Sequence, residues 1–101
     1  MSDVYFVASY DVVDAEAYAD YPAMAVSPLM AHGGEVLAAD YEAQALEGEK
    51  REVTVVLKFP SEEAAMNWYN DPDYEPAKKL RLRATTNGTA VLAKAFVMPE
   101  G

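Results

Sequence analysis

Residues 53–61 read VTVVLKFPS, and this stretch decides the fold. Every second residue from Val53 to Phe59 is apolar, whereas the residues between them include a threonine and a lysine. Because successive side chains of a strand point to opposite faces, one face of this strand is wholly apolar and the other is mixed. Pro60 ends the strand, and Ser61 is a favourable helix N-cap. The stretch predicts a strand covered by helices on one face and followed directly by a helix.

Patterns on both sides of this stretch predict further strands. Runs of β-branched and aromatic residues bounded by turn residues indicate strands at Val4–Val12, Glu35–Ala39, Tyr41–Leu46 and Thr89–Met98. Asn87-Gly88 is typical of a turn before the last of them.

Three helical segments separate these strands. The first follows Asp14 as N-cap, ends at Gly33-Gly34, and is expected to kink or to divide into two short helices at Pro22 and Pro28. The second runs from Ser61 to Tyr69 and is closed by Asn70-Asp71-Pro72. The third is predicted from Pro76 to about Ala84, with Glu75 as its cap and basic residues at its carboxyl end.

The order of these elements is strand, helix, strand or hairpin, strand, helix with a second short helix, strand. This is the split βαβ pattern of an α+β, ferredoxin-like fold, in which an antiparallel sheet carries helices on one face. At 101 residues the chain is expected to form one such domain over residues 1–101.

Charge and composition exclude several classes of function. Seventeen acidic against eight basic side chains give a formal charge of −9, which disfavours binding to nucleic acid or to anionic membranes. The chain has no cysteine, no apolar run long enough to span a bilayer and no basic signal-like start, so we expect a cytoplasmic protein. No nucleotide-binding or metal-binding motif is present, and we predict no cofactor and no metal.

The second face of the predicted sheet is apolar enough to need a cover. Helices on one side only would leave Tyr5, Val7, Val56, Leu92 and Phe96 exposed to water. A second copy of the chain would cover them, so the pattern favours a homodimer. Tolerance of scattered apolar residues on an open face is the alternative.

A series of short motifs along the chain is typical of one family. The motifs are Phe59-Pro60-Ser61, Glu63, Ala64 or Ala65, Trp68-Tyr69, Asp71-Pro72, Asp73-Tyr74, Lys79-Leu80-Arg81, Tyr18, Tyr21, Pro28, His32-Gly33-Gly34 and Leu46-Glu47-Gly48. With them the chain resembles the domain-of-unknown-function family thirteen-thirty, of the dimeric α+β barrel superfamily, and the resemblance implies sheet-to-sheet pairing of two subunits. At Ala39-Asp40-Tyr41 this chain departs from the Arg-Gly-Gly usual in the family, and the arginine common before the third strand is displaced to Arg51 or absent.

Superfamily relatives include cofactor-independent monooxygenases and lactone isomerases. The resemblance therefore implies an uncharacterised dimeric barrel protein, with a cofactor-independent isomerase or oxygenase acting on a small apolar carbonyl or phenolic compound as the first hypothesis. The alternatives are a dimer that binds a small molecule without converting it, and a structural or interaction module.

Three residues are candidates for catalysis. His32 is the one histidine and the natural general base near neutral pH, and Tyr18 and Tyr21 could act as donors or general acids. Each has a structural alternative. A histidine in the last turn of a helix can bond free carbonyls, and tyrosines near a helix break can be core rings with a hydroxyl at the rim.

Four further residues are candidates for ligand binding. Trp68, Tyr69 and Tyr74 could form aromatic walls for a planar compound, although packing of helices on the sheet explains them equally. Arg81 lies in a basic segment that could attract an anion, and complementing the helix dipole is its simpler role.

Overall fold

The computed structural model describes residues 3–97 and Pro99. It places four strands and four helices along that part of the chain. Their bounds are β1 Val4–Val12, α1 Ala15–Tyr18, α2 Tyr21–Ala31, β2 Glu35–Asp40, β3 Val53–Phe59, α3 Glu62–Tyr69, α4 Glu75–Ala84 and β4 Thr85–Lys94.

The strands form one antiparallel sheet in the order β2-β3-β1-β4. The first and third strands lie in the centre, and the register places Phe6 of β1 opposite Leu57 of β3 and Leu92 of β4. This order, with the connecting helices on one face, is the α+β, ferredoxin-like arrangement that the sequence predicted.

The core lies between the helices and the covered face of the sheet. Val4 of β1 and Val53 and Phe59 of β3 are almost completely buried there. Trp68 of α3 packs edge-on against Phe6 at 5.1 Å between ring centroids. The wholly apolar face of the stretch that begins at Val53 is therefore the covered one, as predicted.

The first helical segment divides at the earlier of its two prolines. Asp14 caps α1, where its Oδ1 accepts a hydrogen bond of 3.1 Å from the Ala17 backbone N–H. Pro22 lies in the first turn of α2, where a missing N–H costs nothing. Pro28 lies inside α2 without ending it. The prediction of two helices is thus confirmed at Pro22, whereas Pro28 removes only one hydrogen bond.

The second and third helical segments follow their predictions apart from one capping residue. The Ser61 hydroxyl accepts a 3.0 Å hydrogen bond from the Ala64 N–H and caps α3. The next helix begins at Glu75 with Tyr74 as its N-cap, so Glu75 is not the capping residue. Proline fits either of the first helical positions, which explains why Pro76 did not fix the start more closely.

Two predictions of secondary structure are also wrong. Residues 41–46 form no strand; the Asp40 carboxylate accepts a 2.8 Å hydrogen bond from the Glu42 N–H, and this turn ends β2. The Asn87-Gly88 pair lies inside β4, which begins at Thr85. There the register of β1 and β4 shifts between Ser9 and Asp11, and Asn87 has a φ of 57°, so the pair forms a bulge in the strand.

The pairing of β4 with β1 decides which of its residues face the helices. Val7 pairs with Val91 and Tyr5 pairs with Ala93, so these four residues lie on the face without helices. Leu92 packs against the core on the other face, and its assignment to the uncovered face was wrong. Phe96 follows the end of β4 and is 80 % exposed, while Met98, the predicted end of the strand, lies outside the described residues.

Candidate functional site

A cavity of about 240 Å³ lies between α2 and strands β2 and β3. Apolar side chains of all three elements form most of its surface, and four aromatic residues contribute to it. Its lining consists of Tyr18, Tyr21, Pro22, Ala25, Val26, Leu29, Val36, Ala39, Tyr41, Val55, Leu57 and Trp68. A mostly apolar pocket with a few convergent polar groups is the usual form of a small-molecule site.

The break between α1 and α2 positions the two candidate catalytic tyrosines. Tyr18 is the last residue of α1 and Tyr21 the first of α2. Their rings stack at 5.5 Å between centroids with an interplanar angle of 26°, and Tyr41 meets Tyr18 edge-on at 6.4 Å. The break between α1 and α2 thus brings a group of aromatic rings together in the lining of the cavity.

Each of these tyrosines shares a short hydrogen bond with a second tyrosine. The hydroxyls of Tyr18 and Tyr10 are 2.6 Å apart, and those of Tyr21 and Tyr74 are 2.7 Å apart. In each pair one hydroxyl donates its hydrogen to the other, so each pair retains one further hydrogen for another acceptor.

Burial keeps these phenols protonated. It raises the pKa of Tyr10 to about 12. Burial also raises the pKa of Tyr18, as does its hydrogen bond with Tyr10, and burial together with the nearby Tyr74 raises the pKa of Tyr21. At neutral pH these hydroxyls therefore act as donors of a hydrogen bond or a proton rather than as bases.

The predicted aromatic walls only partly line the cavity. Trp68 lines it and is 1 % exposed, and its indole Nε1–H is buried without a hydrogen-bond partner in the described part of the chain. Tyr74 is fully buried behind the lining, with its ring 4.4 Å from that of Trp68. Tyr69 lies apart from the lining, and the Lys78 ammonium stands 4.2 Å from the centroid of its ring.

His32 lies outside the cavity lining. It is the C-cap residue of α2, and its Nε2 is 2.6 Å from Oδ2 of Asp71, which follows α3. This hydrogen bond, together with one from the Asp73 N–H, holds the pKa of Asp71 below its ordinary value. The structure thus brings Tyr18 and Tyr21 together and places His32 with a carboxylate instead.

Arg81 of α4 is a buried cation beside the tyrosine pairs. It is 5 % exposed, and its guanidinium carbon lies 5.7 Å from the centroid of the Tyr10 ring. Although burial lowers the pKa of Arg81, the nearby Tyr74 and Tyr21 raise it above its ordinary value. Among residues 3–97 and Pro99, no carboxylate oxygen lies within salt-bridge distance of it, and its Nε has no hydrogen-bond partner.

Sequence reasoning missed three residues of these arrangements. Tyr10 belongs to the predicted first strand, Val4–Val12, and a polar hydroxyl among apolar residues was the signal that it needs a partner. Tyr41 was placed in a strand that does not form. Asp71 was treated only as part of a helix stop, and nothing local indicates its pairing with His32, which is 39 residues away.

The described residues contain no group of three or more histidine, cysteine, aspartate or glutamate side chains able to hold a metal ion. In the same part of the chain, no helix combines the length and apolar character needed to cross a membrane.

Several solved structures share this fold. A protein of unknown function from Rhodopseudomonas palustris has a TM-score of 0.82 and 21 % identity, covering 96 % of this chain and 85 % of that one. A dimeric protein of unknown function with a ferredoxin-like fold from Bacteroides fragilis has a TM-score of 0.59 and 12 % identity, covering 92 % and 96 %. SnoaB, a cofactor-independent oxygenase from Streptomyces nogalater, has a TM-score of 0.61 and 16 % identity, covering 99 % and 97 %.

At these identities the likeness concerns the fold alone. None of the curated proteins matches the sequence. A family model matches residues 3–96, almost the whole chain, and agrees with the resemblance seen in its motifs. The chain belongs to the family described as Domain of unknown function (DUF1330).

Proposed function

We propose that the chain binds a small, mostly apolar compound with a carbonyl or phenolic oxygen in the cavity beneath α2. One observation carries this proposal. The cavity is apolar over most of its surface, yet two tyrosines with raised pKa values lie together at one end of it. Protonated phenols are hydrogen-bond donors, and a carbonyl or phenolic oxygen is the acceptor that suits them.

The size of the cavity limits the compound. Its volume is about 240 Å³, whereas a dry apolar cavity of roughly 150 Å³ is enough to hold benzene. A compound of one or two rings therefore fits. The ring of Trp68 and the stacked rings of Tyr18 and Tyr21 favour a planar one.

Conversion of the bound compound would use the tyrosines as acids. A phenol that donates a hydrogen bond to a carbonyl stabilises negative charge on that oxygen and favours proton transfer at the adjacent carbon. Isomerisation and cofactor-independent oxygenation both begin with such a charge. The structural likeness to SnoaB supports the second reaction at the level of the fold. A base is also needed, and His32 keeps that role as a prediction, although it lies outside the lining.

Quenching of Trp68 fluorescence by acetophenone tests the binding site. Trp68 is the one tryptophan of the chain and lines the cavity, so its emission reports occupation of the cavity directly. We expect saturable quenching in the wild type and weaker quenching in Ala25→Leu, which fills the cavity. Ala23→Leu is the control, because Ala23 is exposed on the same helix and outside the lining. Equal quenching of all three proteins would contradict the proposal.

Mass spectrometry then separates catalysis from binding alone. A compound that binds in the cavity is incubated with the wild type and with Tyr18→Phe, and its mass is followed over time. Turnover by the wild type that falls in Tyr18→Phe supports an enzyme with a tyrosine acid. Recovery of the compound unchanged supports the binding protein.

We also propose that two copies of the chain pair through the sheet face without helices. Val91 is 56 % exposed on that face, and it pairs with Val7, which in turn pairs with Val56 on its other side; Val7 and Val56 are only partly buried. Covering apolar surface is worth about 25 cal/mol per Å², and a second sheet of the same shape supplies the cover. The description of the Bacteroides fragilis protein as dimeric supports the proposal of a dimer.

A further inference from the structure

Arg81 has a positive charge that the described part of the chain leaves without a counter-ion. A buried charge is costly unless it is paired, and arginines at such depth usually contact a carboxylate. Arg81 is 5 % exposed, and its guanidinium carbon lies 5.7 Å from the centroid of the Tyr10 ring. Burial lowers its pKa, but Tyr74 and Tyr21 are close enough to raise it. The uncharged phenols of these tyrosines offset only part of the free energy that is lost when the charge of Arg81 is buried.

Two hydrogen-bonded tyrosine pairs link the surroundings of Arg81 with the cavity lining. Tyr74, beside the guanidinium, shares its hydrogen bond with Tyr21, which lines the cavity. Tyr10, whose ring lies near the guanidinium, shares its hydrogen bond with Tyr18, which also lines the cavity. In each pair, one tyrosine is thus near the cation and the other lines the cavity.

The positive charge of Arg81 sets a direction for both pairs. A cation favours the arrangement in which the nearer tyrosine turns its oxygen toward the charge and donates its hydrogen to the tyrosine of the lining. The lining tyrosine then keeps a hydrogen for an acceptor in the cavity. Hydrogen bonds in such a chain polarise one another, and a cation at the far end makes the last donor stronger.

We propose that the compound in the cavity carries an acidic oxygen, of an enol, a phenol or a carboxyl group, and that Arg81 favours its anion through the two tyrosine pairs. This inference rests on the proposed function, because it names the class of ligand for that same cavity. The anion accepts hydrogen bonds from the tyrosines, and the proton that it loses on binding goes to the solvent. Arg81 is a positioning residue, since it lies outside the cavity lining.

The test uses para-nitrophenol and nitrobenzene, which are similar in size. The para-nitrophenolate ion absorbs visible light and the neutral phenol does not, so the spectrum of the bound dye reports its charge. We expect the bound dye to be enriched in phenolate relative to the free dye at the same pH, by roughly tenfold, which is one pKa unit. A bound dye that ionises like the free dye, or less, would overturn the inference without any variant.

Variants identify the source of this effect. In Arg81→Met we expect most of the phenolate enrichment to disappear while nitrobenzene still quenches Trp68, and in Arg81→Lys we expect part of it to return. Arg83→Met is the control, because Arg83 is exposed on the same helix. Undiminished enrichment in a folded Arg81→Met would overturn the inference. If neither compound binds the wild type, the proposed function fails as well; if nitrobenzene alone binds, only the inference fails.

Discussion

Single glycines show how closely the residues around the cavity are packed. Gly34 follows α2, whose end is closed by hydrogen bonds from the Gly34 N–H to the Leu29 carbonyl and from the Gly33 N–H to the Met30 carbonyl. This is the Schellman arrangement, and Gly33 has the positive φ, 73°, that it requires. A Cβ on Gly34 would overlap Leu29 Cδ1, a side chain that lines the cavity.

Gly34→Ala should therefore destabilise the protein. The added carbon would also lie 2.9 Å from Phe59 Cε1, so both the helix end and the core would have to move. We expect a loss of about 1–3 kcal/mol in the free energy of unfolding, measured by chemical denaturation. In Gly88→Ala the nearest atom to the new Cβ, Tyr10 Cβ, is at an ordinary 3.5 Å, so this variant is the control. Equal stability of the two variants would refute the packing argument.

At the scale of elements, the pair of His32 and Asp71 ties the end of α2 to the segment after α3. Because the pKa of Asp71 is lowered in the folded chain, the unfolded chain binds a proton at this group more readily. The stabilising contribution is present above the ordinary aspartate pKa, and it is lost as the pH falls through the lower value of the folded state.

Asp71→Asn should make the stability of the protein less dependent on acid pH. We expect the free energy of unfolding of the wild type to fall more steeply than that of the variant between about pH 5 and pH 2. Asp73→Asn is the control, because its exposed side chain lies outside the pair while its backbone N–H still contacts Asp71. Parallel pH profiles for wild type and Asp71→Asn would show that the pair contributes nothing.

Local chemistry was enough to predict most of the elements. The alternation from Val53 to Phe59, the caps at Asp14 and Ser61, and the break at Pro22 all depend on residues close in sequence, and all were confirmed. The start of β4 was missed because Asn87-Gly88 suits both a turn and a bulge. Only pairing with β1 decides between these, and the extra residue moves the following side chains to opposite faces.

The site was predictable only as a set of residues. Tyr18 and Tyr21 were chosen from their position beside Pro22, and the structure brings them together at one cavity. Their hydroxyl partners come from strand β1 and from the turn before α4, and His32 finds its partner 39 residues away. Such pairs depend on how the helices cross the sheet, and the spacing of residues in the sequence does not determine that crossing.

At the scale of the whole molecule, the uncovered sheet face predicts a homodimer. Val7→Glu places a charge in the middle of that face, opposite Val91 and Val56, and should weaken association at least tenfold in sedimentation equilibrium. Leu82→Glu is the control, because Leu82 is 57 % exposed on α4. A wild type that sediments as a monomer at high concentration would refute the dimer, and loss of association in Leu82→Glu alone would place the interface on the helices.

The central claim is that the cavity beneath α2 is a binding site, and the indole N–H resonance of Trp68 tests it most directly. The chain has one tryptophan, so its NMR spectrum contains one indole N–H signal, and that group is buried at the cavity. Titration with acetophenone should shift this signal saturably in the wild type and in Ala23→Leu, and much less in Ala25→Leu. An indole signal that stays in place up to the solubility limit of acetophenone would contradict the account.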